Sequence, residues 1–216
     1  MILRQLQEQI GAIYDVSVTH DVYDFLVTSR QALPAEARES ESDEELIVAS
    51  EADAVGVSLY LDPALLDRLQ HANPMVRLNE SNVADYWTAL EGVSHFLYFA
   101  WNTGHDKPVT LLELELQAEI DKYVASYLLL KQQYPDRFPA ELLHVLFERT
   151  RIDSRLANGR EHLYRAATRH AQKFCTRLSQ TLRDSHSALE NGVLAELRRF
   201  YRLTDSRKVE HIERGA

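Results

Sequence analysis

Between Ser81 and Gln133 the sequence has a single clear break. SNVADYWTALEGVSHFLYFAWN runs into the segment WNTGHDKP, and PVTLLELELQAEIDKYVASYLLLKQQ follows. Each flank reads as one long helix, with Ser81 or Asn82 as the N-cap of the first and Pro108 opening the second. Two long helices joined by so short a loop pack as an antiparallel hairpin. In the first, apolar residues from Val83 to Trp101 surround most of the circumference, as in a central, buried helix. The exceptions are Thr88, Glu91, Ser94 and His95, which three- and four-residue spacing places on one stripe. Polar groups on a buried stripe need partners, or the fold loses about 1–3 kcal/mol for each.

The second helix offers those partners. Glu115 and Glu119 lie one turn apart, with Lys122 one turn further on. A hairpin folded about His105 sets His95 opposite Glu115 and Glu91 opposite Glu119. An asymmetric loop would shift the match by one turn. Three chemistries suit the constellation. Carboxylates and an imidazole can bind a divalent metal such as Zn, Mn or Fe, and bundle cores host such sites on facing helices. A buried glutamate beside a histidine can act as general acid or base. The same groups can instead form a structural network of Glu91, Lys122, His95 and Glu119 that sets helix register. Lys122 weighs toward the last reading, because a cation can neutralise a carboxylate without a metal.

A third helix, AELLHVLFERT, places Glu141, His144 and Glu148 on one face. Its E-x-x-H spacing is the one that di-iron carboxylate bundles use twice. Here it occurs once in a suitable context, which argues against a ferritin-like protein. Glu141 and His144 are therefore second-rank candidates, since a solvated helix face looks the same. His105, in the loop, is weaker still.

Further along, YRAATRHAQKFCTR sets Arg165, Arg169, Lys173 and Arg177 at four-residue spacing, a cationic ridge on an amphipathic helix. Such a ridge can hold phosphates or nucleic acid. It can also sit in water or face the acidic stretch Glu36–Glu45. The charge distribution bears on this choice: residues 1–150 carry a net −15 and residues 151–216 a net +6. The acidity of the whole chain, at −9, argues against a dedicated nucleic-acid binder and favours a protein partner. His170, at the apolar border of this helix, reads as a core-edge histidine.

The rest of the chain frames the hairpin. With 7 glycines and 6 prolines, the chain has too few turn residues for an all-β sandwich. Its apolar fraction of 45% allows a sizeable core. Ile2, Leu3, Leu6, Ile10 and Ile13 mark a short amphipathic helix over residues 1–14, and Asp21–Ala32 is ambiguous between helix and strand. LPAEARESESDEE, residues 33–45, reads as an acidic linker or exposed loop lacking apolar anchors. Leu46–Ala49 and Val55–Leu61 predict a β-hairpin across 46–61. Asp62 then caps a helix that opens at Pro63 and breaks at Asn73-Pro74. Asn158-Gly159 is a helix stop, and two more helices follow it.

The expected fold is mainly α: a small N-terminal α/β portion over 1–75, a helical bundle over 80–204 and a fraying polar tail over 205–216. A lone cysteine, Cys175, at helical spacing to apolar neighbours, reads as a core residue and points to a reducing cytosol. No secretory h-region and no apolar run of membrane-spanning length are present, so the sequence predicts a soluble protein. The glycine-rich nucleotide loops, H-E-x-x-H, G-x-S-x-G and C-x-x-C are absent. Nothing completes a catalytic constellation. The first expectation is accordingly a non-catalytic interaction or regulatory protein with an acidic arm and a basic ridge. The alternative is a small metal-dependent hydrolase or oxidoreductase centred on Glu91, His95, Glu115 and Glu119.

Overall fold

The computed structural model describes residues 2–51, 54–149, 161–184 and 191–215. Helix α1 (Ile2–Tyr14) buries Leu3, Leu6, Ile10, Ile13 and Tyr14, the stripe its apolar spacing requires. It ends where Asp15 turns left-handed, at φ 53°, and Val16 N–H bonds back to the Gly11 carbonyl at 3.0 Å. The ambiguous stretch that follows is neither a regular helix nor a long strand. Two 3-10 turns, Val22–Asp24 and Arg30–Ala32, flank a two-residue strand, β1 (Leu26–Val27). A strand that short has no period to read.

The segment expected to be a bare acidic linker is partly built into the structure. It holds a short helix, α2 (Ala35–Arg38), and buries Leu33 and Ala37 against Tyr60 in a satellite core. Arg30 lies 4.0 Å above the Tyr60 ring, and its guanidinium bonds the carbonyls of Ala37 and Ser42. The anchors are thus Leu33, Ala37 and an arginine from outside the segment, a pattern with no periodicity. The hairpin is longer than its apolar residues suggest: β2 (Glu44–Glu51) pairs antiparallel with β3 (Ala54–Leu61), with Leu46 opposite Leu59 and Glu44 opposite Leu61. β1 adds to β3 in parallel, giving a mixed sheet of order β1-β3-β2.

Asp62 caps α3 (Pro63–His71), accepting from the N–H groups of Ala64 and Leu65. The two long helices are α4 (Val83–Thr103) and α5 (Leu111–Gln133). Asn82 precedes α4, but its side chain ties the loop instead, bonding Asn79 N–H and the carbonyls of Ala72 and Arg77. α5 begins three residues beyond Pro108, because Thr110 and Glu113 form a reciprocal capping box there.

The third helix is shorter than expected. α6 (Leu142–His144) runs into a π-turn at Val145–Arg149. The Asn158-Gly159 stop lies outside the described residues. α7 (Glu161–Asp184) and α8 (Asn191–Tyr201) follow. The expected fraying tail is instead a ten-residue helix, α9 (Asp205–Arg214), which docks through Lys208 and Ile212. With a single apolar anchor among charged residues, its pattern carries no stripe that reads as buried.

The architecture is mainly α with a small sheet, and its core is continuous from Leu3 in α1 through β3, α4 and α5 to Ile212 in α9. Cys175 is fully buried within it. Among the described residues, no helix is long and apolar enough to cross a membrane. The sheet meets the bundle where β2 and β3 cross α4 at Gly92. A Cβ there would lie 2.9 Å from both Glu44 Cγ and Leu59 Cδ1. Gly92→Ala is therefore expected to lower stability by about 1–3 kcal/mol through overpacking. Urea unfolding checks this; an unchanged midpoint would mean that the sheet does not rest on α4 as described.

Candidate metal centre

Six side chains meet at the seam between the sheet and the central hairpin. β2 contributes Glu44, its first residue. α4 contributes Glu91 and His95, one turn apart, and α5 contributes Glu115, Glu119 and Lys122. His95 Nδ1 lies 3.3 Å from Glu44 Oε1, and His95 Nε2 lies 3.8 Å from Glu115 Oε1. Lys122 Nζ bridges Glu91 at 2.6 Å and Glu119 at 2.8 Å. The His95 side chain is 6% exposed, and its Nε2 has no hydrogen-bond partner. Ligand-capable atoms of Glu44, Glu91 and His95 all lie within 4.8 Å of one another.

The electrostatics follow from burying four carboxylates with two cations. Burial works against the charged form of His95, but Glu115, Glu44 and Glu91 outweigh it and carry the imidazole from its ordinary 6.5 up to about 10. Burial pushes Glu115 from 4.5 up to about 8, against the pull of His95. Glu44 is raised for the same reason. Burial would raise Glu91 too, yet Lys122 and His95 bring it below its ordinary value. Burial disfavours the Lys122 ammonium, and Glu119 and Glu91 more than restore it, well above the usual lysine range. Four carboxylates against two basic side chains leave the cluster short of positive charge, which favours keeping protons on it. A divalent ion would take over the neutralising role of such protons.

The hairpin brings together the pairs set opposite each other by its geometry: His95 with Glu115, and Glu91 with Glu119 through Lys122. The polar stripe of α4 divides, however. Ser94 turns away to donate to Asp121 Oδ2 at 2.6 Å, and Thr88 donates to the carbonyl of Ala84. Glu141 and His144 are not part of the cluster. Both are exposed, and His144 pairs with Glu148 at 2.7 Å on the surface of α6 and its π-turn.

Among the described residues, the basic ridge makes contacts within α7 and to α9. Arg165 pairs with Glu161, while Lys173 pairs with Glu213 of α9 at 2.6 Å. Arg177 donates to the carbonyl of Ile212, and Arg169 acts on Glu213 through space.

Two groups of residues escaped the sequence. Glu44 looked like part of a charged linker. Extending the strand alternation back from Leu46 places Glu44 on the same face, opposite the fully buried Leu61, and this was the available signal. The second group centres on Asp121, which is buried and accepts from Tyr14, Ser94 and Gln117. Burial lifts its carboxyl to about 6 against those three hydrogen bonds. Comparison with known protein families, with curated proteins and with solved structures gives no match to this chain.

Glu115 generates a pH prediction. Its folded value lies above its unfolded one, so the folded state binds the extra proton, and the associated stability is lost as pH rises from about 5 to about 8. Glu115→Gln removes that loss. With a chelator present, its stability relative to wild type should grow across this window. Denaturant midpoints at several pH values check it, and a difference that stays flat with pH would contradict the assignment.

Proposed function

We propose that this chain is a metal-dependent, non-catalytic interaction or regulatory protein. A divalent transition metal (Zn, Mn or Fe) held by Glu44, Glu91 and His95, with Glu115 beside them, fastens strand β2 to α4 and α5. The observation that carries this reading is the convergence of those three side chains within 4.8 Å at a buried imidazole whose Nε2 makes no hydrogen bond and faces Glu115 at 3.8 Å. Carboxylate oxygen and imidazole nitrogen are the donors such ions take. A ligand set split between an edge strand and a central helix makes the ion a clip between two parts of the fold.

The surroundings favour a role in interaction over catalysis. Two hollows, of about 280 and 360 Å³, lie elsewhere on the protein. One is lined by α6 and α7 residues such as Leu143 and Ser179, the other by Thr110, Glu113 and Asp205, and neither by a residue of the cluster. The metal-dependent hydrolase or oxidoreductase alternative draws no support from them. β2 is one of the two outer strands of the sheet and leaves Val48 41% exposed. Its second edge pairs with no strand of the sheet, and such an edge suits a polypeptide partner.

One observation favours a second reading. Lys122 already bridges Glu91 and Glu119, which is what a register-setting network without metal would show. Elemental analysis and calorimetric titration separate the two. The metal reading predicts about one equivalent of Zn, Mn or Fe, lost in His95→Ala and in Glu44→Gln. It also predicts stabilisation of the wild type by about 2.7 kcal/mol when free metal is a hundredfold above Kd. Failure of the wild type to bind any of the three ions, with both variants merely less stable, would leave the register network.

A further inference from the structure

α9 docks in an unusual way. Lys208 and Ile212 are its buried side chains, and Lys208 is fully buried. A leucine or methionine there would fill the same space without taking a charge out of water. Lys208 is surrounded by three aromatic rings and one amide oxygen. Its Nζ lies 4.5 Å from the ring centroid of Tyr98, 4.8 Å from Phe200 and 5.8 Å from Tyr201. It donates to Gln117 Oε1 at 2.7 Å, and Gln117 in turn donates to Asp121. Burial pulls the Lys208 amine down to about 7, against the opposing charges of Glu113, Asp121 and Asp205.

We propose that Tyr98, Phe200, Tyr201 and Gln117 form a recognition site for a methylated alkylammonium, and that Lys208 of α9 plugs this site in cis. Three aromatic faces and one amide oxygen match a dimethylated nitrogen, whose single N–H meets Gln117 while its methyl groups meet the rings. A primary ammonium has three N–H groups to satisfy and is the more strongly hydrated ion, so it fits the cage less well. The carboxylates of Asp121 and Glu113 supply the negative field behind the rings.

The plug is releasable by construction. α9 joins α8 through three residues, Arg202 to Thr204. Beyond its two buried side chains and the His211 ring, which packs 5.6 Å from Phe200, it is held by Glu213 to Lys173 at 2.6 Å, by Glu196 to His211 at 3.3 Å and by Arg177 on the Ile212 carbonyl. An element with so few buried anchors opens at lower free energy than the central helices.

The test uses the full chain and N,N-dimethylbutylammonium as probe, with a neutral branched alcohol of the same size as control. Lys208→Ala empties the cage, and Ile212→Ala loosens the plug while leaving the cage intact. Titration followed by thermal shift should show saturable binding of the amine to Lys208→Ala, about tenfold or more tighter than to wild type, with Ile212→Ala in between. The alcohol should bind more weakly throughout. Blocked Nε-dimethyllysine, run in parallel, distinguishes a peptide side chain from a free amine as the source by which binds tighter. Equal stabilisation by alcohol and amine would reduce the effect to cavity filling and overturn the proposal. If Lys208→Ala does not fold, the comparison of Ile212→Ala with wild type decides alone, and equal affinity for the amine overturns it.

Discussion

The structure depends on how α4 and α5 accommodate charge while buried on most sides. His95 stands between Glu44 and Glu115, and Lys122 stands between Glu91 and Glu119. Removing one partner from such a buried pair costs about 3–5 kcal/mol, because the other charge is left uncompensated. The seam therefore fixes the register of the two helices and the position of the sheet together. Replacing the whole set with apolar side chains of similar volume would often be neutral or stabilising. Stability alone gives no reason for this arrangement, and the ligand-like geometry of Glu44, Glu91 and His95 supplies one.

A second polar seam lies on the same helix pair. There Asp121 gathers Tyr14, Ser94 and Gln117, and Gln117 passes the chain of hydrogen bonds to Lys208. The first seam ties the N-terminal sheet to the centre of the bundle, and the second ties the C-terminal helix to it. Each joins a peripheral element through a few polar contacts. Between them runs the apolar core, which reaches from α1 to α9 without interruption. Peripheral elements held by polar contacts can respond to an ion or an amine, where purely apolar docking could not.

What the sequence disclosed follows from the same physics. The long helices were legible because their apolar spacing runs over many turns, and α3 because Asp62 and Pro63 mark its start. The facing of His95 with Glu115 followed from a short, nearly symmetric loop. Glu44 was not legible, because it sits at the end of a strand whose apolar residues begin only at Leu46. Its role comes from tertiary contact with His95 across the seam. α9 was hidden for a related reason. Its principal buried residue is a lysine, and its cage is assembled from Tyr98, Gln117, Phe200 and Tyr201 on three other helices. Buried charge breaks the binary pattern from which a core is read. The sites escaped the pattern at the positions where the fold spends polar groups inside.

In the proposed arrangement, an ion at Glu44, Glu91 and His95 fastens β2 to the helices. Amide hydrogen exchange across residues 44–61, with Zn and then with chelator, tests it most directly. Exchange of β2 and β3 should be slower with Zn, with no such difference in Glu44→Gln. Exchange in this segment that is indifferent to Zn, while the protein demonstrably binds it, would place the ion elsewhere and contradict its role as a clip on β2.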